Sequence, residues 1–436
     1  MYATNPAAKA FLQMDEVEWL YFGLTLLSSI WLITILCGVI AHVWRFRKLR
    51  QLSRTPLETW PKCCIIVPCY LPNEQDIIME TVSHMCAVEY PGELRVIVVY
   101  NTPEALPVEK ELQALGTLNG RTVCAFNVPG SQSKAHNLEF ALTEVTEKVV
   151  VLFDADHHPN PDCVNILVST LQRMPNVCAV QGAVLINRGG PWLMRFILNG
   201  MEWSSWCIWG PGIAEVAGSG YFGGACAAWR PDTLRTLGFD TVMQTEDIDL
   251  SIRACSKGHT IQMMPLAQSL EMCPVGMRAL YRQRLRWALG WEEVTRVRMA
   301  AVFGSPDIQE PRKWRLFLFL MARYFTLFTS LFGIAQIIES ILHSRDWPIP
   351  LRIAMTIPSV ICYIVAFVTV YMLFQLRAKP PLWLSVLVFQ LASPVFFFVQ
   401  SSLIIVATIK LTLRGSKPIE WVATKRDPKA VPQKES

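Results

Sequence analysis

From Trp19 to Ala41 the chain carries no charged residue, and three further long apolar runs occupy 316–342, 349–374 and 382–409. Runs of this length cross a bilayer as helices, and the first is too long for the apolar centre of a cleavable signal peptide. At 52% hydrophobic and 17% charged over 436 residues, the chain is too apolar for an ordinary soluble domain and too mixed for a bundle of spans alone. Asp15, Glu16 and Glu18 precede the first run, while Arg45, Arg47, Lys48 and Arg50 follow it. The basic side marks the cytosol, so the polar region after the first span is expected there. The reading is an integral, multi-pass protein of the plasma membrane, in four parts. An anchor covers 1–50 (span about 19–41), a cytosolic domain with interfacial helices 51–310, a helical membrane region 311–411, and a basic cytosolic tail 412–436.

The tail poses a parity problem. Lys410, Arg414, Lys417, Lys425, Arg426 and Lys429 assign it to the cytosol, yet three crossings from a cytosolic domain end outside. The last run is therefore expected to break near Ser393-Pro394 and turn back as a hairpin or re-entrant element. In the first of these runs, Arg323, Gln336 and Glu339 are costly in lipid unless they line a polar path or bond between helices. The net charge of +5 sits beside membrane segments and suits anionic lipid rather than nucleic acid. Thirteen scattered cysteines without a CxxC pair read as buried reduced thiols.

Between the spans the pattern alternates. Cys63 to Tyr70 reads as a buried strand ending in a loop, Leu71 to Glu74, with a helix from about Gln75 to Val88. Strands at 94–100 and 122–128, a helix at 135–146, and strands at 149–156 and 177–186 complete a parallel, doubly wound sheet. The strand at 149–156 ends in two carboxylates, Asp154 and Asp156. Alternation puts both on one face at the carboxyl end of a strand, where such sheets bind ligands and where a hard divalent cation can bridge to phosphate. His157 and His158 read as loop residues, since nothing else supplies soft-metal ligands. The Trp-rich stretch 192–209 fits either a membrane interface or a core helix, and the glycines of 218–225 allow backbone to approach a bulky ligand. Thr245 reads as the N-cap of a helix whose first turn holds Glu246 and Asp247. On a later helix Gln283, Arg286 and Trp287 share one face, a surface on which a sugar ring stacks while a cation meets phosphate.

In this order, Pro68-Cys69-Tyr70 with Asn73-Glu74, Lys134, Asp154-Ala155-Asp156, Thr245-Glu246-Asp247 and Gln283-Arg284-Leu285-Arg286-Trp287 resemble the membrane-integrated family-2 glycosyltransferases. That group includes cellulose, curdlan, chitin and hyaluronan synthases, and the resemblance covers about 63–293. It implies an α/β GT-A-like (Rossmann-like) cytosolic catalytic domain inserted between transmembrane helices. It also implies inverting transfer from a nucleotide sugar, usually a UDP-sugar with Mg2+ or Mn2+. By this resemblance Asp156 binds the metal, and Asp247 is the general base with Glu246 beside it. Pro68, Tyr70, Glu74, Asn101, Lys134, Asp154, Gln283 and Arg286 hold the nucleotide sugar, and Trp287 holds the acceptor. Trp421, Thr424, Lys425 and Arg426 are similar to the gating loop of cellulose synthases. Where many relatives carry an aspartate after the second strand, this chain has Asn101, a neutral acceptor for uracil N3–H. The implied partners are the donor, the bilayer and a polysaccharide or lipid acceptor. Two products remain open: a growing β-linked polysaccharide with coupled export, or a single sugar on a membrane lipid as in the ceramide glucosyltransferases. The intact set of acids argues against a non-catalytic scaffold or transporter.

Overall fold

The computed structural model describes residues 10, 12–343 and 347–414, so Trp421, Thr424, Lys425 and Arg426 lie outside the described residues. The first apolar run forms α1 (Glu16–Arg54), started by a reciprocal cap between Asp15 and Glu18. It outlasts the expected span because its last three turns are an amphipathic extension. Phe46 and Leu49 are buried there, and Arg45 pairs with Glu215 of the polar domain at 3.0 Å.

The domain is built on nine strands among the described residues. They are β1 (Cys63–Tyr70), β2 (Leu94–Asn101), β3 (Thr117–Leu118), β4 (Arg121–Asn127), β5 (Val149–Leu152), β6 (His158–Pro159), β7 (Ala179–Arg188), β8 (Ala227–Trp229) and β9 (Ile261–Met272). Their order in the sheet is β3-β4-β2-β1-β5-β8-β7-β9-β6. The near-continuous apolar runs of β1, β2 and β5 are buried on both faces, as central parallel strands are. On one face lie α2 (Ile78–Cys86), which follows a single helical turn at Leu71–Glu74 where a loop is expected, and α4 (Cys163–Arg173). On the other lies α3 (Lys134–Glu144), whose Leu138, Ala141 and Leu142 are buried with Ile66 and Ile97.

The parallel expectation holds for β4, β2, β1, β5, β7 and β9, which all run the same way, and fails at β8 and at the short strands β3 and β6. β8 pairs antiparallel with both β5 and β7. The glycine-rich stretch ahead of it reverses the chain through left-handed backbone at Gly224 (φ 88°) and Cys226 (φ 56°), so β8 enters the sheet from the opposite end. The Trp-rich stretch forms α5 (Trp192–Ser204) and a π-helical turn; Trp203 and Trp206 are core residues, whereas Trp192 is exposed. Two helices then carry the chemistry described below, α6 (Glu246–Ser256) and α7 (Met277–Gly304).

The remaining apolar runs form α8 (Glu310–His343), α9 (Ile349–Gln375) and α10 (Pro380–Arg414). With α1 they are the four described helices long and apolar enough to cross a membrane. The expected break at Ser393-Pro394 is absent. Pro394 offers no N–H to the carbonyl of Gln390, a loss that usually kinks or ends a helix. Here the Ser393 hydroxyl donates to that same carbonyl at 2.7 Å, so the ladder is closed by a side chain and the helix continues. The polar residues of α8 bond between helices: Arg323 pairs with Glu292 of α7 at 2.6 Å, and Gln336 donates to the Thr25 hydroxyl of α1 at 3.0 Å.

Candidate active site

β5 stops at Leu152, and Asp154 to His157 form a turn in which the His157 N–H donates to the Asp154 carbonyl at 3.0 Å. The two aspartates thus converge through a turn and not through strand alternation. Lys134, the first residue of α3, reaches across the cleft, with its ammonium 2.5 Å from Asp154, 2.8 Å from the Gly224 carbonyl and 3.6 Å from Glu246. Burial works against this charge, but Asp154, Glu246 and Asp247 outweigh it and hold the ammonium firmly protonated. Gly224 is required twice over: its φ is positive, and a Cβ there would lie 3.0 Å from Asp247 Oδ2.

Asp247 sits in the first turn of α6. Thr245 occupies the N-cap position without a capping bond; Asp247 instead accepts from the Ile248 N–H at 2.8 Å. Burial, then the neighbouring Glu246 charge, push the Asp247 carboxyl up to about 7 against the opposing pull of Lys134 and Arg286. A carboxylate tuned near neutrality is suited to proton transfer at ordinary pH. From α7, Gln283, Arg286 and Trp287 face the same cleft. Arg284 takes one face of the Trp287 ring, 4.3 Å from its centroid, and donates to Glu202 at 2.6 Å, which holds the indole in place. At the far end, Glu74 accepts from the Tyr70 N–H at 2.7 Å. Asn101 donates to the Ser131 carbonyl at 3.0 Å and accepts from Asn137 at 2.9 Å, so its amide oxygen already has one donor.

Every described residue singled out from the sequence, from Pro68 to Trp287, lines one cavity of about 920 Å3. The cavity also holds residues that the sequence reading passed over. One nitrogen of His157 joins carboxylate oxygens of Asp154 and Asp156 in a group whose atoms all lie within 4.8 Å of one another. Its Nδ1 is buried with no partner among the described residues, and its Nε2 stands 3.7 Å from Glu271. Burial opposes a charge on this ring, but Glu271 and Asp156 raise its pKa overall. These two carboxylates and the ring nitrogen form a group able to hold a hard divalent cation; His157 lies in a loop as expected, whereas His158 opens the short strand β6. The signal for His157 was its position directly after Asp156. His158 points the other way, stacked on His84 at 3.6 Å, and burial together with Arg188 lowers its pKa to about 2. Trp206, Tyr221 and Trp291 line the cavity as well. Behind it, the wholly buried Asp249 of α6 accepts from Arg253 and from Arg298 of α7, each at 2.6 Å, which ties the two helices together.

A mixed α/β sheet with paired acids at the mouth of its central strands, a half-buried lysine and an Arg/Trp helix around one cleft defines a GT-A-like transferase. Residues 61–290 match the family described as "Glycosyltransferase like family 2", and the chain belongs to that family. It is 25% identical over 322 residues to the probable glycosyltransferase YdaM of Bacillus subtilis (strain 168), covering 71% of this chain and 73% of that one. It is 24% identical over 267 residues to glucomannan 4-beta-mannosyltransferase 7 of Arabidopsis thaliana (59% and 47% covered). With the poly-beta-1,6-N-acetyl-D-glucosamine synthase of Staphylococcus aureus (strain MSSA476) it shares 25% over 233 residues (52% and 54%). The chain thus spans about half the length of the latter two relatives. A solved mannosyltransferase from Pyrobaculum calidifontis, in complex with GDP-Man and Mn2+, shares the fold, with a TM-score of 0.51 and 19% identity over 89% of this chain and all of that one. The protein is a family-2 glycosyltransferase related to polysaccharide synthases.

Proposed function

We propose that the chain is a membrane-embedded, metal-dependent inverting enzyme that transfers a sugar from a nucleotide sugar, a UDP-sugar, to a growing β-linked polysaccharide, processively and with coupled export. The catalytic unit of 51–310 lies in the cytosol between the spans. The observation that carries the reading is the convergence of Lys134, Asp154, Asp156, Asp247 and Arg286 on one cavity whose other end is lined by Trp206, Tyr221, Trp287 and Trp291. An anionic donor belongs at the first end and sugar rings at the second.

Asp156, with His157 and Asp154, would hold Mg2+ or Mn2+, which offsets the negative charge of the departing diphosphate. Pro68, Tyr70, Glu74 and Asn101 form the wall for the nucleotide, and Gln283 and Arg286 face the diphosphate. Lys134 adds a fixed positive charge already oriented by Asp154 and the Gly224 carbonyl, so little reorganisation is needed as charge develops. Asp247 takes the proton of the acceptor hydroxyl as that oxygen bonds to the anomeric carbon from the face opposite the leaving group. Glu246 keeps Asp247 basic enough to do so. Trp287 holds the acceptor's terminal ring on the face that Arg284 leaves uncovered. The Mn2+ and GDP-Man of the Pyrobaculum calidifontis enzyme support a metal-bridged sugar nucleotide at this end of the cavity.

A specific observation also favours transfer of a single sugar to a membrane lipid: Arg323 and Gln336 are engaged by Glu292 and Thr25, so they do not mark a polysaccharide path. One experiment tests both readings. Purified protein is given a panel of radiolabelled nucleotide sugars with Mg2+ or Mn2+, and diphosphate release is scored beside product size. Polymer that resists lipid extraction supports the synthase, a discrete lipid-soluble product supports the alternative, and no turnover with any donor sinks both.

A further inference from the structure

We infer that α10 does not cross the membrane. It lies along the membrane surface against the catalytic domain, so the chain crosses three times and residue 414 is on the domain's side. This goes beyond the proposed reaction and does not depend on it.

The argument starts from what α10 touches. At its beginning, Ser385 donates to the Phe196 carbonyl of α5, and Gly200 abuts the Ser385 backbone so closely that a methyl group there would overlap it. Phe389, a turn further on, packs with Ile186, Leu198 and Met201 at the end of β7 and along α5, and at the helix's middle Phe396 joins the same cluster beside Leu280 of α7. Near its end, Leu403 and Ala407 pack on Ala288 of α7, and Arg296 of α7 donates to the Thr408 carbonyl at 3.2 Å and the Thr412 hydroxyl at 2.9 Å. α7 is part of the catalytic unit: Trp287 lines the cavity and Arg298 is bound to Asp249. The helix is therefore seated on the domain at its start, middle and end.

A helix of 35 residues is about 52 Å long, and one crossing a hydrocarbon layer of about 30 Å would carry an end away from any domain on one side. The other apolar helices do this. Arg50 of α1 meets Gln375 of α9 at 2.7 Å near the domain, while at the opposite end the ring of Tyr21 of α1 lies tilted against Phe332 and Trp347, at 5.7 and 5.2 Å. α10 also packs against α8, and its hydrogen bonds and ring contact run to α5, α7 and the end of α9. Its outer face is a row of exposed apolar side chains, Leu384, Leu387, Leu391, Val395, Ile409 and Leu413, recurring every three or four residues where they fall in succession. The occupant of that face is lipid: the row is continuous with the exposed Phe367 and Phe374 of α9, whose ring meets Trp383 of α10 at 4.6 Å. A helix held to one domain along its length runs beside that domain, with its apolar outer face buried in the lipid boundary. This arrangement also removes the parity problem without a hairpin.

Two measurements on the full-length protein in membranes test the inference. Single cysteines are placed at Lys379, Arg414 and, as an external reference, Ile349, in a background with Cys37 and Cys362 changed to alanine. They are labelled with a membrane-impermeant maleimide. Ile349→Cys is expected to label in intact cells, and Lys379→Cys and Arg414→Cys only after permeabilisation. Labelling of Arg414→Cys in intact cells, alongside Ile349→Cys, would overturn the inference. Nitroxides at Leu384, Leu391 and Leu413 give depth independently through their collision rates with oxygen and a polar nickel chelate. Equal, shallow depths are expected at all three; a maximum at Leu391 with the two ends on opposite surfaces refutes the in-plane helix.

Discussion

The chemistry assigned to Asp247 can be tested through its neighbours without touching it. Its carboxyl is held near 7 by burial and by Glu246, while Lys134 and Arg286 pull the other way. A charge within ~4–6 Å moves a buried carboxyl by about 1–3 pH units. Glu246→Gln removes the charge that raises Asp247, and Lys134→Met removes one that lowers it. The acid limb of kcat/KM, which reports the free enzyme, should therefore sit near 7 in the natural protein, about one pH unit lower in Glu246→Gln and about one higher in Lys134→Met. Both substitutions also reduce the plateau, because Lys134 is expected to meet the diphosphate. The position of the limb, not its height, carries the test. The assay is release of nucleoside diphosphate between pH 5 and 9 at fixed, saturating Mn2+. The metal's charge is common to all three proteins, so their order survives any shared displacement. Three coincident limbs, or an alkaline shift in Glu246→Gln, would refute Asp247 as the titrating base.

Replacing the base itself, Asp247→Asn, should lower turnover about 10²–10⁴-fold with donor binding retained, measured by single-turnover kinetics and donor titration. The same variant should be the more stable protein at alkaline pH. The rise from 3.8 to about 7 favours the protonated fold, a stabilisation present below 3.8 and lost as pH climbs through 7. Relief of about 4 kcal/mol, roughly halved by water in the open cleft, should widen the Tm difference from pH 4 to 7 and leave it constant above. Asp156→Asn should abolish Mn2+ binding followed by electron paramagnetic resonance, whereas retained stoichiometric binding would move the metal elsewhere. Asp249→Ala leaves Arg253 and Arg298 without their buried partner and should cost about 3–5 kcal/mol in thermal unfolding. Gly224→Ala should keep the protein folded but reduce kcat, because the new methyl meets Asp247 Oδ2.

What the sequence made legible was chemistry and long-period pattern. Apolar runs of strand length gave β1, β2 and β5, and polar residues that stand out against such runs gave the acids, the lysine and the Arg/Trp helix. What escaped was whatever depends on a local device that pattern does not encode. β8 has three residues, too few to show a period, so the one reversed strand inside the sheet was invisible. Asp154 and Asp156 were expected to share a face by alternation, but β5 ends two residues earlier and a turn does the work. Pro394 signals a break on general grounds, and only the hydroxyl beside it, aimed at the Gln390 carbonyl, says otherwise. His157 and His158 look equivalent in sequence; the turn sends one to the carboxylates of Asp154 and Asp156 and the other to His84. Asp249 reads as one more acid in the first turn of a helix until Arg298 is seen to reach it from α7.

These local devices meet in α7, which is why that helix matters more than its motif suggests. Its first half presents Gln283, Arg286 and Trp287 to the cavity, and its middle bears Glu292, which is buried and bound to Arg296 at 2.8 Å and to Arg323 of α8 at 2.6 Å. Arg296 continues to α10 through Thr408 and Thr412, while Arg298 crosses to Asp249, two residues beyond Asp247. A buried charge stripped of its partner costs several kcal/mol, so these links constrain position more than they add stability. A shift of α8 or α10 within the lipid would therefore be passed to α7, and from α7 to the base as well as to the surface expected to hold the acceptor. Asp249 and Arg298 couple those two parts, holding the first turn of α6 against α7. The cavity thus joins residues fixed in the sheet, Asp154 and Asp156, to residues of α7 that are tied to the helices of the membrane region.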